Sequence, residues 1–386
     1  MQGSTLRNFL VLLLGISIVI MAGCGPKPIP KESVLDTPFN HFSQGMREFN
    51  RGNLDLAMDE FERANALDPD YAEAYAGMGL VFAAKKDFEN ALKSADKALD
   101  KNKNSVEARV IKGRIITKQR KGDDWIEKAV NEYKKALNVN PNSEKAYYYM
   151  GLTYKVGYQF GDAATAFSKV IAAKGDYAGN ADKEWALVQK IQRAAPGTDI
   201  GMKIALIEEI DRADLAVLLI EELKLLELLE KKRPKTYYTG FKAPDDPTKM
   251  DQPEAQKLPD ATDIEGHWAK NWIKDILGAK GMEAFADRTF RPDEKITRAN
   301  YSVIMQNIMI MATGDESLAT KFIGQPSQFP DVNASHFAYN AIALIVNRGI
   351  LSVDTMSGEF RLGDHMSGAD ALLAIREFQN ALRMTF

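Results

Sequence analysis

The chain has 386 residues, enough for two or three domains at roughly 100–200 residues each. Its 50 Lys and Arg against 53 Asp and Glu give a formal charge of −3, so it lacks the basic excess with which nucleic-acid binders hold phosphates, and no nucleic-acid partner is expected. One cysteine excludes an internal disulfide and Cys-based metal cages, and His41, His267, His336 and His365 form no H-x-x-x-H pair, so neither metal nor cofactor is expected.

Residues 1–23 open with one cation, Arg7, then an apolar run from Phe9 to Ala22 broken only by Gly15 and Ser17. The run is shorter than the ~20 residues that cross ~30 Å of hydrocarbon and fits a secretory h-region. Ala22 and Gly23 stand directly before Cys24. This order resembles the lipobox of bacterial lipoproteins, where a peptidase cuts before a cysteine that carries lipid; Met21 replaces the usual leucine. The resemblance implies lipidation of Cys24 and a membrane partner through that lipid. The alternatives are an ordinary signal peptide with an incidental cysteine, or an uncleaved anchor. Gly25, not Asp, follows the cysteine. By the family's sorting rule this implies the outer membrane facing the periplasm, or the outer face of the cell membrane where there is only one. Pro26, Pro28 and Pro30 make residues 24–36 a stiff, extended leader.

Residues 37–176 repeat themselves. Gly45, Gly79 and Gly113 recur every 34 residues, and Gly151 follows after 38. Ala57, Ala91, Ala129 and Ala163 keep the register. Four residues later come Phe61, Ala95, Tyr133 and Phe167, and then Ala64, Ala98, Ala136 and Val170. Pro69 and Pro141 close two units, and the stretch Lys118–Asp124 lengthens a loop. Small residues let paired helices approach, and rings fill the gap beside them. The pattern resembles four tetratricopeptide (TPR) repeats, helical hairpins that stack because none buries its apolar face alone. The resemblance implies a protein or peptide partner in the concave groove. Tyr75, Phe82, Tyr147 and Tyr154 fill first-helix aromatic positions, and Tyr75, Phe82 and Tyr154 read as core. No carboxylate-clamp signature names the peptide class.

Residues 177–233 place Ile210-Asp211-Arg212-Ala213-Asp214 ahead of an apolar helix, and 234–257 are a Pro-rich linker. Residues 258–313 hold His267-Trp268-Ala269 at the head of an amphipathic helix and a turn at Gly281. They continue with Asp287-Arg288-Thr289-Phe290-Arg291-Pro292, and Ile296-Thr297-Arg298-Ala299-Asn300 heads a second helix. Residues 314–386 hold a divergent copy with Phe329, Asp331, His336, Ala338, Gly349 and Phe360, but Met366-Ser367-Gly368-Ala369-Asp370 carries no arginine. This order resembles the S-layer homology (SLH) repeat, with its HWA, DGTFRP and ITRAE elements. SLH modules work as pseudo-trimers, which makes 177–233 a candidate degenerate first repeat. Trp185 lies 27 residues before Arg212, much as Trp268 lies 30 before Arg298 and Phe337 lies 31 before Gly368. The alternative is a Leu-rich helix that closes the repeat array.

Thr297, Asp211 and Ser367 are good N-caps, with Asn300, Asp214 and Asp370 at the third position of capping boxes; Asn300 should close its box less well. Arg298 and Arg212 then take the first helical position, where a cation opposes the helix dipole by a few tenths of a kcal/mol. An anionic partner would remove that conflict. The SLH resemblance implies contact with acidic cell-wall polysaccharide or peptidoglycan through Arg298, Trp268, Arg212 and Thr297, with Asp263 structural. Gly368 removes one arginine, and Ala284 and Val353 stand near positions where the family often has glycine, so at most two of three grooves should bind. The other reading of the module is a protein contact.

No phosphate-binding loop, nucleophile elbow or serine–lysine motif is present, so no catalytic residue and no enzyme is expected. The expected fold is mainly all-α, a TPR helical-hairpin solenoid followed by an SLH helical module. The expected function is a non-catalytic envelope lipoprotein that tethers a membrane to wall polymer and recruits a protein. The alternative is an assembly or secretion accessory whose TPR groove holds a client.

Overall fold

The computed structural model describes residues 28–232 and 261–383. The expected signal peptide, Cys24 and the 234–257 linker therefore lie outside the described residues. The protein is all-α. Among the described residues the extended pairings are two isolated bridges, Asp211 with Lys295 and Thr297 with His365. The chain divides into two compact units, Met1–Trp185 and Ala186–Phe386.

The first unit is a run of helical hairpins. They are α1 (Pro38–Asn50) with α2 (Leu54–Leu67), α3 (Ala72–Ala84) with α4 (Phe88–Lys101), α5 (Val106–Gln119) with α6 (Trp125–Val139), and α7 (Glu144–Val156) with α8 (Phe160–Ala173). Side-chain caps start several of them. Thr37, Asp87, Ser105 and Ser143 accept from the backbone N–H three residues on, satisfying a donor that the first turn leaves unpaired. The first helices α1, α3, α5 and α7 adjoin one another and form one continuous face.

The repeated glycines have a steric cause. A Cβ on Gly45 would lie 2.5 Å from the Phe61 ring, one on Gly113 2.6 Å from Tyr133, and one on Gly151 2.6 Å from Phe167. In the second hairpin Ala95 replaces the ring, and Gly79 instead closes onto the Ala91 carbonyl, where a Cβ would lie 2.9 Å away. The alanine columns are fully buried. Tyr133 is buried too, and its hydroxyl is satisfied by Thr153 at 3.3 Å, which meets Thr117 at 2.8 Å. Burial pushes the Tyr133 hydroxyl up to about 12. Tyr75 is buried, while Phe82 and Tyr154 are half-buried and pack against the hairpin cores, as the spacing predicts.

The second unit holds most of α9 (Ala178–Ala194), then α10 (Asp199–Ile204), α11 (Arg212–Glu221), α12 (Leu225–Lys232), α13 (Lys270–Gly278), α14 (Arg298–Thr313), a 3₁₀ turn (Glu316–Ala319), α15 (Tyr339–Asn347) and α16 (Gly368–Arg383). Ala213–Leu219 of α11 and Tyr339–Ile345 of α15 are buried without interruption, the mark of helices surrounded on all sides. The one polar side chain inside the α15 run, Asn340, is fully used. It donates to Gln306, Leu318 and Ala319 and accepts from the Phe322 N–H, so its burial costs little.

Two substitutions test the ring-under-glycine packing. Gly113→Ala should destabilise the first unit by about 1–3 kcal/mol through overpacking. Gly179→Ala, with nothing within 4 Å of the added carbon, should leave stability equal or slightly raised. Thermal unfolding followed by circular dichroism reads both.

Candidate functional site

Three short segments meet in the second unit and close a ring of backbone hydrogen bonds. Ile210 N–H donates to the Met366 carbonyl (2.9 Å), Met366 N–H to Ile296 (2.8 Å), and Ile296 N–H to Ile210 (3.1 Å). Each segment then enters a helix through its N-cap: Asp211 into α11, Thr297 into α14 and Ser367 into α16. The Asp211 box is reciprocal with Asp214. Thr297 accepts from Asn300 N–H at 3.2 Å without a returned bond, as the Asn substitution predicts. The Ile210–Asp214 segment thus occupies a place in the ring equal to those of the two SLH-like copies.

Arg212 and Arg298 stand at the first helical position, and the structure shows what relieves them there. Arg212 donates from Nε to the Phe290 carbonyl (2.7 Å) and from Nη2 to Glu283 (2.9 Å), with its guanidinium 4.6 Å from the Phe290 ring centre. Arg298 repeats the pattern on the next segment, to Phe360 (2.8 Å) and Ser352 (2.7 Å), over the Phe360 ring at 4.5 Å. Each arginine therefore bolts its own segment to the loop of the following one. Main-chain carbonyls and a ring face supply the negative charge that an anionic ligand was expected to bring. Burial lowers both guanidinium pKa values from their ordinary value. The receiving loops are held by Asp263 and Asp331. Asp263 accepts from Phe290 and Arg291 N–H at 2.7 Å, and Asp331 accepts from Phe360 and Arg361 N–H at 2.8 and 2.6 Å. Those bonds hold Arg291 and Arg361 at φ 54° and 57°, in the left-handed region. The structural role read for Asp263 is therefore specific to this turn.

At the third position Gly368 is a steric necessity. A Cβ there would lie 1.7 Å from the Ile204 carbonyl oxygen, because the C-terminal end of α10 runs directly across it. Gly368 N–H donates to Ile207 at 2.9 Å instead. Sequence alone reads Gly368 as a lost arginine; the close backbone approach was not visible in it.

A groove of about 230 Å³ opens beside Arg212, lined also by Lys280, Glu283, Asn300, Asn307 and Phe337. Phe337 is 76% exposed, and it stands at the head of α15 as Trp268 stands at the head of α13. His267 and His336 fix both positions by accepting the N–H two residues on, from Ala269 and Ala338 at 3.2 Å. Arg212 is thus brought together with Phe337, which the spacing places 31 residues before Gly368, at the counterpart of Trp268. The His336-Phe337-Ala338 match to His267-Trp268-Ala269 carries the same signal. Trp268, 53% exposed, instead makes ring contacts with His267 and Trp272. Trp272 in turn donates to Glu221 of α11 at 2.8 Å. Thr297 serves as a helix cap. At the head of α16 Asp370, the counterpart of Asn300, is already ion-paired with Lys190 at 2.6 Å. Trp185 lies in the middle of α9, not ahead of a helix, so the 27-residue spacing to Arg212 does not reproduce the HWA position.

In the first unit the continuous face of first helices carries Arg114. Its guanidinium lies 4.3 Å from the Tyr149 ring centre in the fourth hairpin and 5.9 Å from Phe49 in the first, contacts that only an inner face allows. Its Nη1 is buried with no hydrogen-bond partner. Among the described residues no group of three or more His, Cys, Asp or Glu is placed to hold a metal, and no helix is long and apolar enough to cross a membrane.

A family model for the TPR repeat matches residues 45–86 and 126–156, and one for the S-layer homology domain matches residues 262–300. The chain carries TPR repeats and an S-layer homology domain. The Cellulosome-anchoring protein of Acetivibrio thermocellus is 30% identical over 81 residues, 21% of this chain and 16% of that protein, so the chain spans a small part of this relative. Among solved structures, a thermophilic TPR protein of Thermus thermophilus is 17% identical with a TM-score of 0.36, covering 50% of this chain and 96% of its own. The pilF protein of Pseudomonas aeruginosa is 16% identical with a TM-score of 0.34, covering 50% and 91%. MamA of Desulfovibrio magneticus is 19% identical with a TM-score of 0.28, covering 41% and 96%.

Two measurements test this architecture. Gly368→Ala should lower the melting temperature of the second unit more than Gly113→Ala lowers that of the first, since here backbone is in the way. Asp214, buried and beside Asp211, is raised to about 6, first by loss of solvation. A raised carboxyl favours folding while protonated, so the second unit should lose up to about 3 kcal/mol as pH rises from about 4 through about 6. Asp214→Asn should flatten that slope in thermal melts.

Proposed function

We propose that this protein is a non-catalytic envelope tether: a lipid on Cys24 holds one end in a membrane, and the SLH module grips cell-wall polysaccharide or peptidoglycan. The observation that carries the reading is the Arg212 groove. Beside the Arg212 that bolts two segments together, it combines the Lys280 ammonium, side-chain amides from Asn300 and Asn307, and an exposed ring at Phe337. A sugar unit needs these features: a flat apolar face to stack on, amides for its hydroxyls and a cation for an acidic substituent. The volume, about 230 Å³, is below the roughly 300–1,000 Å³ of drug-sized sites and suits one sugar at a time. Residues 177–233 act as the first arm of the module, with 258–313 and 314–386 as the second and third. Trp268 and Arg298 extend the binding surface beyond this groove, and Thr297 aligns the helix that carries Arg298. The name of the Acetivibrio relative, an anchoring protein, points the same way. The TPR face, on which Arg114 lies over the Tyr149 ring, recruits a protein segment.

Co-sedimentation of the full chain with purified sacculi tests the reading. Phe337→Ala and Asn307→Ala change exposed groove residues that bolt no segments together, and each should weaken binding by roughly five- to tenfold, the loss expected of one stacking or hydrogen-bonding contact. Binding that is undiminished in the double variant would remove the groove from the proposal. No binding by the folded wild type would remove wall anchoring, and client capture through the TPR face would then be the function.

A further inference from the structure

Four of the twelve exposed large apolar side chains among the described residues fall between positions 29 and 39. Val34 is 93% exposed, Leu35 75% and Phe39 66%, with Ile29 at 36%. They do not sit on a loose end. Ile29 N–H donates to the Ala66 carbonyl at 2.9 Å, and Glu32 pairs with Arg63 at 3.0 Å. Asp36, 7% exposed, accepts from Arg63, from His41 at 2.8 Å and from Glu32 N–H at 2.7 Å. These bonds hold its carboxyl far below the usual range, the Arg63 bond first. His41 also meets Glu60 at 2.6 Å. Glu60, Arg63 and Ala66 follow one stripe of α2, so the leader is laid along that helix over two turns.

The backbone of the turn is paired, and Asp36 is its buried polar side chain. Asp36 N–H reaches Ser33, and the Leu35 carbonyl takes both Thr37 N–H (2.9 Å) and the Asn40 amide (2.8 Å). The apolar side chains are left outside. A fixed turn that satisfies its backbone and exposes Val and Leu at its tip is built to meet an apolar phase.

The length of chain before it says which phase. Five residues separate Cys24 from Ile29, and ten separate it from Val34. Fully extended, five residues span about 17 Å and ten about 34 Å. With lipid on Cys24, the turn cannot leave the neighbourhood of the bilayer surface. We infer that Val34, Leu35 and Phe39 enter the headgroup–acyl boundary of the membrane that holds the lipid, as a second contact made by the protein itself. This rests on the lipidation of Cys24. Immersing one such side chain favours the membrane by about tenfold or more, and anchors of two parts hold where one part exchanges.

The test uses the full lipidated chain in vesicles of phosphatidylethanolamine and phosphatidylglycerol. With Cys24 acylated, Val34→Cys supplies the only thiol for an environment-sensitive nitrobenzoxadiazole dye, and Met356→Cys, at a position 94% exposed in the other unit, is the reference. Blue-shifted emission at 34, quenched by lipids carrying a nitroxide near the headgroup, with water-like emission at 356, is the expected result. Water-like emission at both positions in chains that float with the vesicles would overturn the inference and leave the anchor standing. A wild-type chain that takes up the dye at Cys24 and does not float would overturn both.

Discussion

The second unit depends on one constraint: three strand-like segments must meet at once. Ile210, Ile296 and Met366 satisfy each other's backbone around a closed circle, and no two of them complete it. Everything nearby follows from that closure. The helices leave it capped at Asp211, Thr297 and Ser367. The loops between them are held by Asp263 and Asp331 and receive the arginine of the preceding segment. Even the missing arginine belongs to this logic, since Gly368 makes way for the backbone of the first segment. A closed circle has no free edge at which to add another member, so the number of arms is fixed by geometry.

The first unit solves a similar packing problem in an open line. There the unit of cohesion is a glycine under a ring, repeated with each hairpin, and each hairpin needs only its neighbours. Local pairing of this kind leaves the inner face free to differ from repeat to repeat. Arg114 uses that freedom. It reaches from the third hairpin to rings in the first and fourth, and no repeat consensus asks for it.

Much of this was legible in the sequence because its causes are local. The glycine and alanine columns, the caps at Asp211 and Thr297 and the ordering of His267, Trp268 and Ala269 each record a contact within a hairpin or a helical turn. What was not legible depends on parts of the chain far apart. Arg212 and Arg298 read as ligand groups waiting for an anion, whereas carbonyls 54 to 78 residues away already engage two of their nitrogens. Phe337 joined the Arg212 groove only once the third segment had closed onto the first two. Trp185 fitted a spacing argument and yet sits inside α9, because a count of residues carries no information about where a helix begins.

The leader along α2 has a mechanical consequence. On the proposed function one end is fixed in a membrane and the other grips a wall, so the chain is loaded whenever the two surfaces drift apart. Tension entering at the N-terminus is not carried by α1 alone. It reaches α2 directly through the Ile29 bond and the Arg63 contacts, and through His41 of α1, which meets Glu60 of α2. Because the leader lies lengthwise on that helix, those bonds share the pull and must fail together, as in a lap joint. The first hairpin is therefore loaded through both of its helices, and the turn at Val34 and Leu35 is bracketed by bonds of the joint on either side.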